Sequence, residues 1–289
     1  MKVRQLSVTR RSLATAAALF GMVSLAIGAH AALNKRSLDA AKAAEAAQIV
    51  QAVSKPSRLA LVIGNGHYPD SNAPLTQPIN DARAITAALR REGFEVDVVE
   101  DASRHDINRA VDRLKARINP ESVVMLFFGG YGVRAGRESY MIPVDAAIWK
   151  ESDVRRQGIS IESVLDTVKE RGARARIAVI DASRRNPFER RFRAFSHGLA
   201  PISAPDNALI LSSATPGKVA DDSAGHNSVL VTELLNNINS KAAGAEALFT
   251  RTRIAVSRAS DGEQVPSVSS SLLEDVHFAA DVAAEKAGG

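Results

Sequence analysis

The chain has 289 residues, a formal net charge of +5 and no cysteine. The lack of cysteine excludes disulfide bonds, thiolate metal sites and a thiol nucleophile. Four basic and no acidic residues lie within the first 31, so the rest of the chain has a net charge of only +1. A balance this close to neutrality gives no indication of a nucleic-acid partner.

The first 31 residues have the pattern of an export signal. A basic start precedes the apolar stretch 14–29, and Ala29-His30-Ala31 suits cleavage before residue 32. Arg10 and Arg11 resemble the pair of a twin-arginine signal, but ordinary signals carry such pairs too, so the export route stays open. An uncleaved anchor is the alternative, although the apolar stretch is short for a membrane span. We therefore predict a periplasmic or secreted bacterial protein without a stable membrane span after cleavage.

Three further segments follow the signal. Residues 32–57 are rich in alanine and contain no aromatic residue, which predicts a helical spacer. Residues 58–280 are numerous enough for one α/β domain with a sizeable core. Residues 281–289, again rich in alanine, are predicted to be a flexible tail.

Strand and helix patterns alternate along the domain. The run 59–63 is apolar throughout and ends at Gly64, which indicates a strand buried on both faces. Asn80 is expected to cap the first helix, with Asp81 in its first turn, and Ser103 is expected to cap the second. The other predicted elements are strands at 94–99, 123–128, 177–180 and 209–211, a hairpin near 140–143, and helices from about 161, at 229–238 and at 245–256.

This alternation predicts a three-layer α/β sandwich with a mostly parallel central sheet. Two of its strands lead into polar side chains. The strand 123–128 continues into Gly129–Gly132 and presents Tyr131, and the strand 177–180 continues into Asp181 and presents Ser183. Because parallel strands end at one edge, where open α/β folds place their chemistry, we expect Tyr131 and Ser183 to lie at a common site.

The order and spacing of several motifs resemble the caspase-like fold of bacterial metacaspase relatives, also called orthocaspases. The resemblance extends from residue 58 to about 278 and implies a sheet of about six strands flanked by helices. The motifs that carry it are Leu61–Asn65, Pro74-Leu75, Asn80–Ala82, Phe128–Gly132, Tyr140–Asp145, Asp181–Phe188, Ala214–Gly217 and Asn227-Ser228.

The resemblance also implies roles for individual positions. Active members of that family carry a catalytic histidine and a catalytic cysteine at the positions of Tyr131 and Ser183, within a frame that includes Gly130 and Gly132. The family's pocket for an arginine or lysine side chain matches Asp81, Asp181 and Gly129. Two carboxylates facing one pocket would favour a basic guest through charge-assisted hydrogen bonds. The competing interpretation is that Asp81 serves only its helix start and Asp181 only its own loop.

Tyr131 and Ser183 are poorly suited to act as a catalytic base and nucleophile. A serine hydroxyl is a weak nucleophile without an adjacent base, and a neutral phenol, with an ordinary pKa of about 10, is a poor base. We therefore predict an inactive site in which Tyr131 and Ser183 hydrogen-bond to each other. The alternative is a serine-type endopeptidase that cleaves after arginine or lysine, for which only His67 and His226 are candidate bases.

These observations predict a pseudoprotease that binds basic peptide or protein segments, or that pairs with itself or with an active homologue. A purely structural envelope module is a third possibility. No cofactor or metal is predicted, while calcium dependence stays open. A basic cluster is expected to form a solvated loop; its members are Arg184, Arg185, Arg190, Arg191 and Arg193.

Overall fold

The computed structural model describes residues 57–70, 74–188, 198–220, 225–238 and 244–278, together with Lys42. The chain divides into two units, Met1–Lys55 and Pro56–Gly289, and Lys42 is the described residue of the first. The expected export signal, the rest of the spacer before residue 57, the tail and three arginines of the basic cluster lie outside the described residues. They stay predictions.

The second unit contains nine strands and six helices within the described ranges. In chain order they are β1 (Arg58–Gly64), α1 (Gln77–Arg91), β2 (Glu95–Glu100), α2 (Arg104–Arg117), β3 (Val123–Gly129), β4 (Gly132–Ala135), β5 (Glu138–Met141), α3 (Glu151–Gln157), β6 (Ile159–Ser160), α4 (Ile161–Glu170), β7 (Ala175–Asp181), β8 (Ala208–Ser212), α5 (Val229–Ile238), α6 (Ala245–Ala259) and β9 (Ser267–Ser270).

A six-stranded sheet in the order β2-β1-β3-β7-β8-β9 forms the centre of this unit. The first five strands are parallel, and β9 joins the edge antiparallel to β8. Every residue of β3, β7 and β8 is buried, as expected for strands covered on both faces. The predicted mostly parallel sheet of about six strands is therefore confirmed.

Side chains that alternate along the strands build one core on each face of the sheet. On one face, Val62 and Phe127 pack with α1, α5 and α6. On the other, Leu61 and Phe128 pack with α2 and α4. These two cores make the three layers, and their burial of apolar surface is the main force that holds the helices against the sheet.

A third, smaller cluster lies at the loops beyond β1 and β3. The strands β4, β5 and β6 form a separate antiparallel sheet. Its side chains cluster with Tyr68, Tyr131 and Phe188. This cluster carries the expected site residue Tyr131.

The first helix begins earlier than the sequence pattern predicts. Residue Gln77 opens α1, with Pro78 in its first turn, and Thr76 at the N-cap makes no side-chain capping hydrogen bond. Proline suits this position because the N–H that it lacks has no partner within the helix. The predicted cap at Asn80 is therefore wrong, and Asp81 is free of any duty at the helix start. By contrast, Ser103 caps α2 with a complete capping box, as expected.

Within the described ranges, no helix combines the length and the apolar character that crossing a bilayer requires.

Candidate functional site at the carboxyl edge of the sheet

The loops after β3 and β7 adjoin at one edge of the sheet. Gly129, the last residue of β3, pairs in register with Asp181, the last residue of β7. Beyond the strands, the N–H of Gly130 donates to Asp181 O at 3.3 Å, and the N–H of Gly132 donates to Ala182 O at 3.0 Å. Gly130 has a φ of +155°, a conformation that favours glycine. The structure thus brings the segments of Tyr131 and Ser183 together, as the sequence predicts.

Tyr131 is buried in the small third cluster and packs against a second tyrosine. Its ring meets that of Tyr68 edge-on, with the centroids 4.8 Å apart and the planes at 62°. The Tyr68 hydroxyl accepts a hydrogen bond from Tyr131 N at 3.0 Å and donates to Ile142 O at 3.2 Å. Burial raises the pKa of Tyr68 above its ordinary value, so this phenol stays protonated and keeps its role as donor.

Ser183 is buried, and its backbone is held from two sides. Its N–H donates to Ser213 Oγ at 3.2 Å, and its carbonyl accepts from Ala220 N at 2.6 Å. Within the part of the chain that the structure describes, the Ser183 hydroxyl makes no hydrogen bond, to Tyr131 or to any other side chain. The predicted hydrogen bond between the Tyr131 and Ser183 hydroxyls is therefore not formed.

Asp81 lies on the second turn of α1 and is completely buried. Its Oδ1 accepts two hydrogen bonds, from Asn227 Nδ2 at 2.8 Å and from Ser228 N at 3.0 Å. Its Oδ2 is buried without a hydrogen-bond partner among the described residues. One oxygen of this carboxylate is thus anchored by a distant loop, while the other is buried without a hydrogen-bond partner among the described residues.

Asp181 provides a second buried carboxylate, 2% exposed, whose Oδ2 also lacks a hydrogen-bond partner among the described residues. The negative charge of Asp181 raises the pKa of Asp81, so the two carboxylates lie close enough to repel each other. Gly129 lies beside the first turn of α1, since a Cβ built there would meet Pro78 at van der Waals distance, 3.4 Å. Because Gly129 pairs with Asp181 and the charge of Asp181 reaches Asp81, the three positions lie in one region of the structure.

Arg184 brings a cation to the same cluster. It is 5% exposed, and its charge lowers the pKa of both Tyr68 and Asp81. The expectation that the whole basic cluster forms a solvated loop is therefore wrong for Arg184, although the next residue, Arg185, is exposed. Residue Arg184 follows Ser183 directly, so the turn after β7 directs its side chain inward instead of into solvent.

The two candidate histidines do not support Ser183. His67 is 76% exposed, and its Nδ1 lies 2.5 Å from Asp101 Oδ2. His226 is exposed and its Nδ1 lies 3.4 Å from Asn80 Nδ2. Within the described ranges neither ring contacts the serine hydroxyl, and each lies against another polar side chain.

A comparison with known protein families classifies the chain. The Peptidase C14 family, described as the caspase domain, has a family model that matches residues 57–277. This chain belongs to the caspase domain family. The chain is also 26% identical over 133 residues to the human and mouse forms of mucosa-associated lymphoid tissue lymphoma translocation protein 1. That match covers 46% of the chain but only 16% of each relative.

The two carboxylates of this caspase domain repel each other, and the pKa of Asp81 is raised. Burial raises the pKa of Asp81 to about 7, and repulsion by Asp181 adds to the shift, while Asn227, Ser228 and Arg184 oppose it. The charge of Arg184 favours the ionised form of Asp81 but does not outweigh burial and Asp181, so Asp81 takes up a proton more readily than an exposed carboxylate.

The surroundings of Ser183 bear on whether its hydroxyl could act as a nucleophile. A serine nucleophile needs a base within hydrogen-bond reach and backbone donors for the oxyanion. The described residues provide no base at the Ser183 hydroxyl, and the nearby N–H groups of Ser183 and Gly132 already donate within the protein. No group of three or more potential metal ligands is found within the described ranges.

Sequence reasoning missed three contributors to the site. Ser213 lies 30 residues from Ser183, and only the pairing of β7 with β8 brings them together. Asn227 occurs in a motif that resembles the family, but its partner Asp81 is 146 residues away. Arg184 was assigned to a solvated loop on the basis of its charge alone. The available signal for Arg184 was its position three residues after the end of β7 at Asp181, directly after Ser183.

Proposed function

We propose that this caspase-domain protein is a catalytically silent relative of the peptidases that binds an arginine or lysine side chain in the pocket of Asp81 and Asp181. The observation that carries the proposal is the pair of buried Oδ2 atoms without hydrogen-bond partners among the described residues. A buried carboxylate oxygen left in this condition costs free energy. A guest cation that donates hydrogen bonds to both oxygens recovers that cost.

The proposed guest follows from charge and geometry. A guanidinium is planar, stays charged and can donate to two oxygens at once, whereas an ammonium acts as a compact point charge. Among the described residues, Arg184 is a cation whose charge favours the ionised form of Asp81, yet the pKa of Asp81 remains raised, so a guest cation suits the charge of the cluster. An anionic guest would add negative charge beside Asp81, whose pKa is already raised by burial and by repulsion from Asp181.

The proposed silence rests on Ser183 and its surroundings. Among the described residues no base reaches the Ser183 hydroxyl, and the Ser183 N–H already donates to Ser213 Oγ. Loss of a single oxyanion donor costs a peptidase about 10²–10³ in kcat, and loss of the base costs more.

The proposal also includes the export signal and the partner. The guest would be a basic segment of another protein, or an active homologue.

The experiment compares two peptides that differ only in charge. An acetylated tetrapeptide amide with C-terminal arginine and its citrulline counterpart are titrated into the purified protein at pH 8 by calorimetry. We expect the arginine peptide to bind at least about tenfold more tightly, since hydrogen bonds to charged groups contribute about 1.5–3 kcal/mol. Equal affinity for the two peptides, or binding of neither, would overturn the proposal.

A further inference from the structure

A short segment before α5 is tied to the first turns of α1. Gln77 Nε2 donates to the carbonyls of Gly225 and Asn227, and Asn80 Nδ2 donates to that of His226, at 2.9, 3.3 and 3.0 Å. In the other direction, the Asn227 side chain and the Ser228 N–H both donate to Asp81. We call residues 225–228 the strap. The strap and α1 are thus joined by reciprocal hydrogen bonds.

The two donors of the strap meet the same oxygen of Asp81. Asn227 Nδ2 and Ser228 N lie 2.8 and 3.0 Å from Oδ1, while Oδ2 is left without a partner among the described residues. A carboxylate group rotates as a plate, so fixing Oδ1 from two directions also fixes where Oδ2 points. Both donors also stabilise the ionised carboxylate, because a charged acceptor strengthens each hydrogen bond.

From this arrangement we infer that Asn227 is a positioning residue of the pocket: its side chain holds Asp81 in the orientation and in the charged state that a basic guest requires. The inference rests on the proposed function, which it deepens. Asn227 itself does not contact the guest. It acts through Asp81, and the backbone N–H of Ser228 assists it.

Several charged groups face Asp81 and set the direction of the effect. Asp181, on β7, disfavours the ionised form of Asp81, and Arg184, in the loop after β7, favours it. His226 belongs to the strap but faces Asn80. Because the hydrogen bond from Asn227 lowers the pKa of Asp81, its removal leaves burial and Asp181 less opposed. The pKa of Asp81 then rises.

The test follows the titration of Asp81 directly. The side-chain carboxyl ¹³C signal of Asp81, assigned by its loss in Asp81→Asn, is titrated by NMR in the wild type, in Asn227→Ala and in the isosteric Asn227→Asp. The matched control is Asn80→Ala, which removes a different strap hydrogen bond and no donor to Asp81. Affinity for the arginine tetrapeptide is measured across the same pH range.

We expect the Asp81 titration to move upward by about one to two pH units in Asn227→Ala, and further in Asn227→Asp, with little change in Asn80→Ala. Affinity for the arginine peptide at pH 7 should fall by about tenfold in Asn227→Ala. An unmoved titration, or an equal shift in Asn80→Ala, would overturn the positioning role. If the titration moves as expected while even the wild type binds no peptide, the positioning role stands and the proposed function fails.

Discussion

Replacing Asp81 with asparagine is expected to weaken binding of an arginine peptide by about a hundredfold or more. The variant removes one of the two carboxylates that would face the guest, and breaking a buried, hydrogen-bonded charge pair typically costs about 2–5 kcal/mol. Asparagine keeps the size of the side chain, and its carbonyl oxygen can still accept from Asn227 and Ser228. The loss is therefore one of charge, and titration calorimetry at pH 8 measures it.

The same variant is expected to be more stable than the wild type at pH 8. The folded-state pKa of Asp81 is raised to about 7, whereas in the unfolded chain it is ordinary, about 3.9. The folded state therefore binds one proton more than the unfolded state between these values, and the stability of the wild type falls as pH rises from about 4 to 7. Asparagine does not titrate, so the variant escapes this loss. The gain should be on the order of 2–4 kcal/mol above pH 7 and vanish near pH 4.

Urea unfolding at pH 4, 6 and 8 tests this pH dependence. The matched control is Asp112→Asn, which neutralises a carboxylate whose side chain is 73% exposed and should change the unfolding free energy little at any of these pH values. A variant Asp81→Asn that is less stable than the wild type at pH 8 would contradict the account. If binding is lost and stability gained together, Asp81 is retained for its ligand at a cost to the fold.

Replacing Gly64 with alanine is expected to destabilise the domain by about 3 kcal/mol. A Cβ at this last residue of β1 would lie 2.5 Å from Pro78 O and 2.7 Å from Ala82 Cβ, contacts that only a shift of α1 can relieve. Because Asp81 lies between Pro78 and Ala82 on that helix, the pocket should be disturbed as well. Thermal unfolding should show a midpoint lowered by about 6–12 °C.

The control for this prediction is Gly129→Ala on the neighbouring strand. Gly129 pairs in register with Gly64, yet its Cβ would find its nearest neighbours at 3.4 Å. We expect less than about 1 kcal/mol of destabilisation there. Similar losses in the two variants would mean that the close approach of α1 to Gly64 does not control the packing at this edge.

The central strands and their order of appearance are predictable because burial on both faces leaves continuous apolar runs. The strand β9 escapes prediction because Ser267–Ser270 carries one apolar residue and depends on pairing with β8. The helix α3 buries only Asp153 and Val154, so no apolar stripe marks it. The start of α1 was misplaced because Asn80 and Asp81 have the composition of a cap, while their side chains contact a loop that lies far along the sequence.

The candidate site, too, was predictable from the sequence only in part. Tyr131, Ser183 and Asp181 could be placed at one edge, because each follows or ends a strand of recognisable pattern, whereas Asp81 was assigned to the site only through the resemblance of its motif to the family. The state of Ser183 could not be predicted, since its N–H is taken by Ser213 from the neighbouring strand. Neither could the inward direction of Arg184, which depends on the turn after β7.

The most direct test of the silent, arginine-binding site is hydrolysis of a fluorogenic peptide with arginine before the scissile bond. The wild type is assayed beside Ser183→Ala, and binding of the same peptide is measured in both. We predict that both proteins bind the peptide and that no turnover depends on Ser183. Turnover in the wild type that disappears in a folded Ser183→Ala variant would contradict this account and establish a serine peptidase.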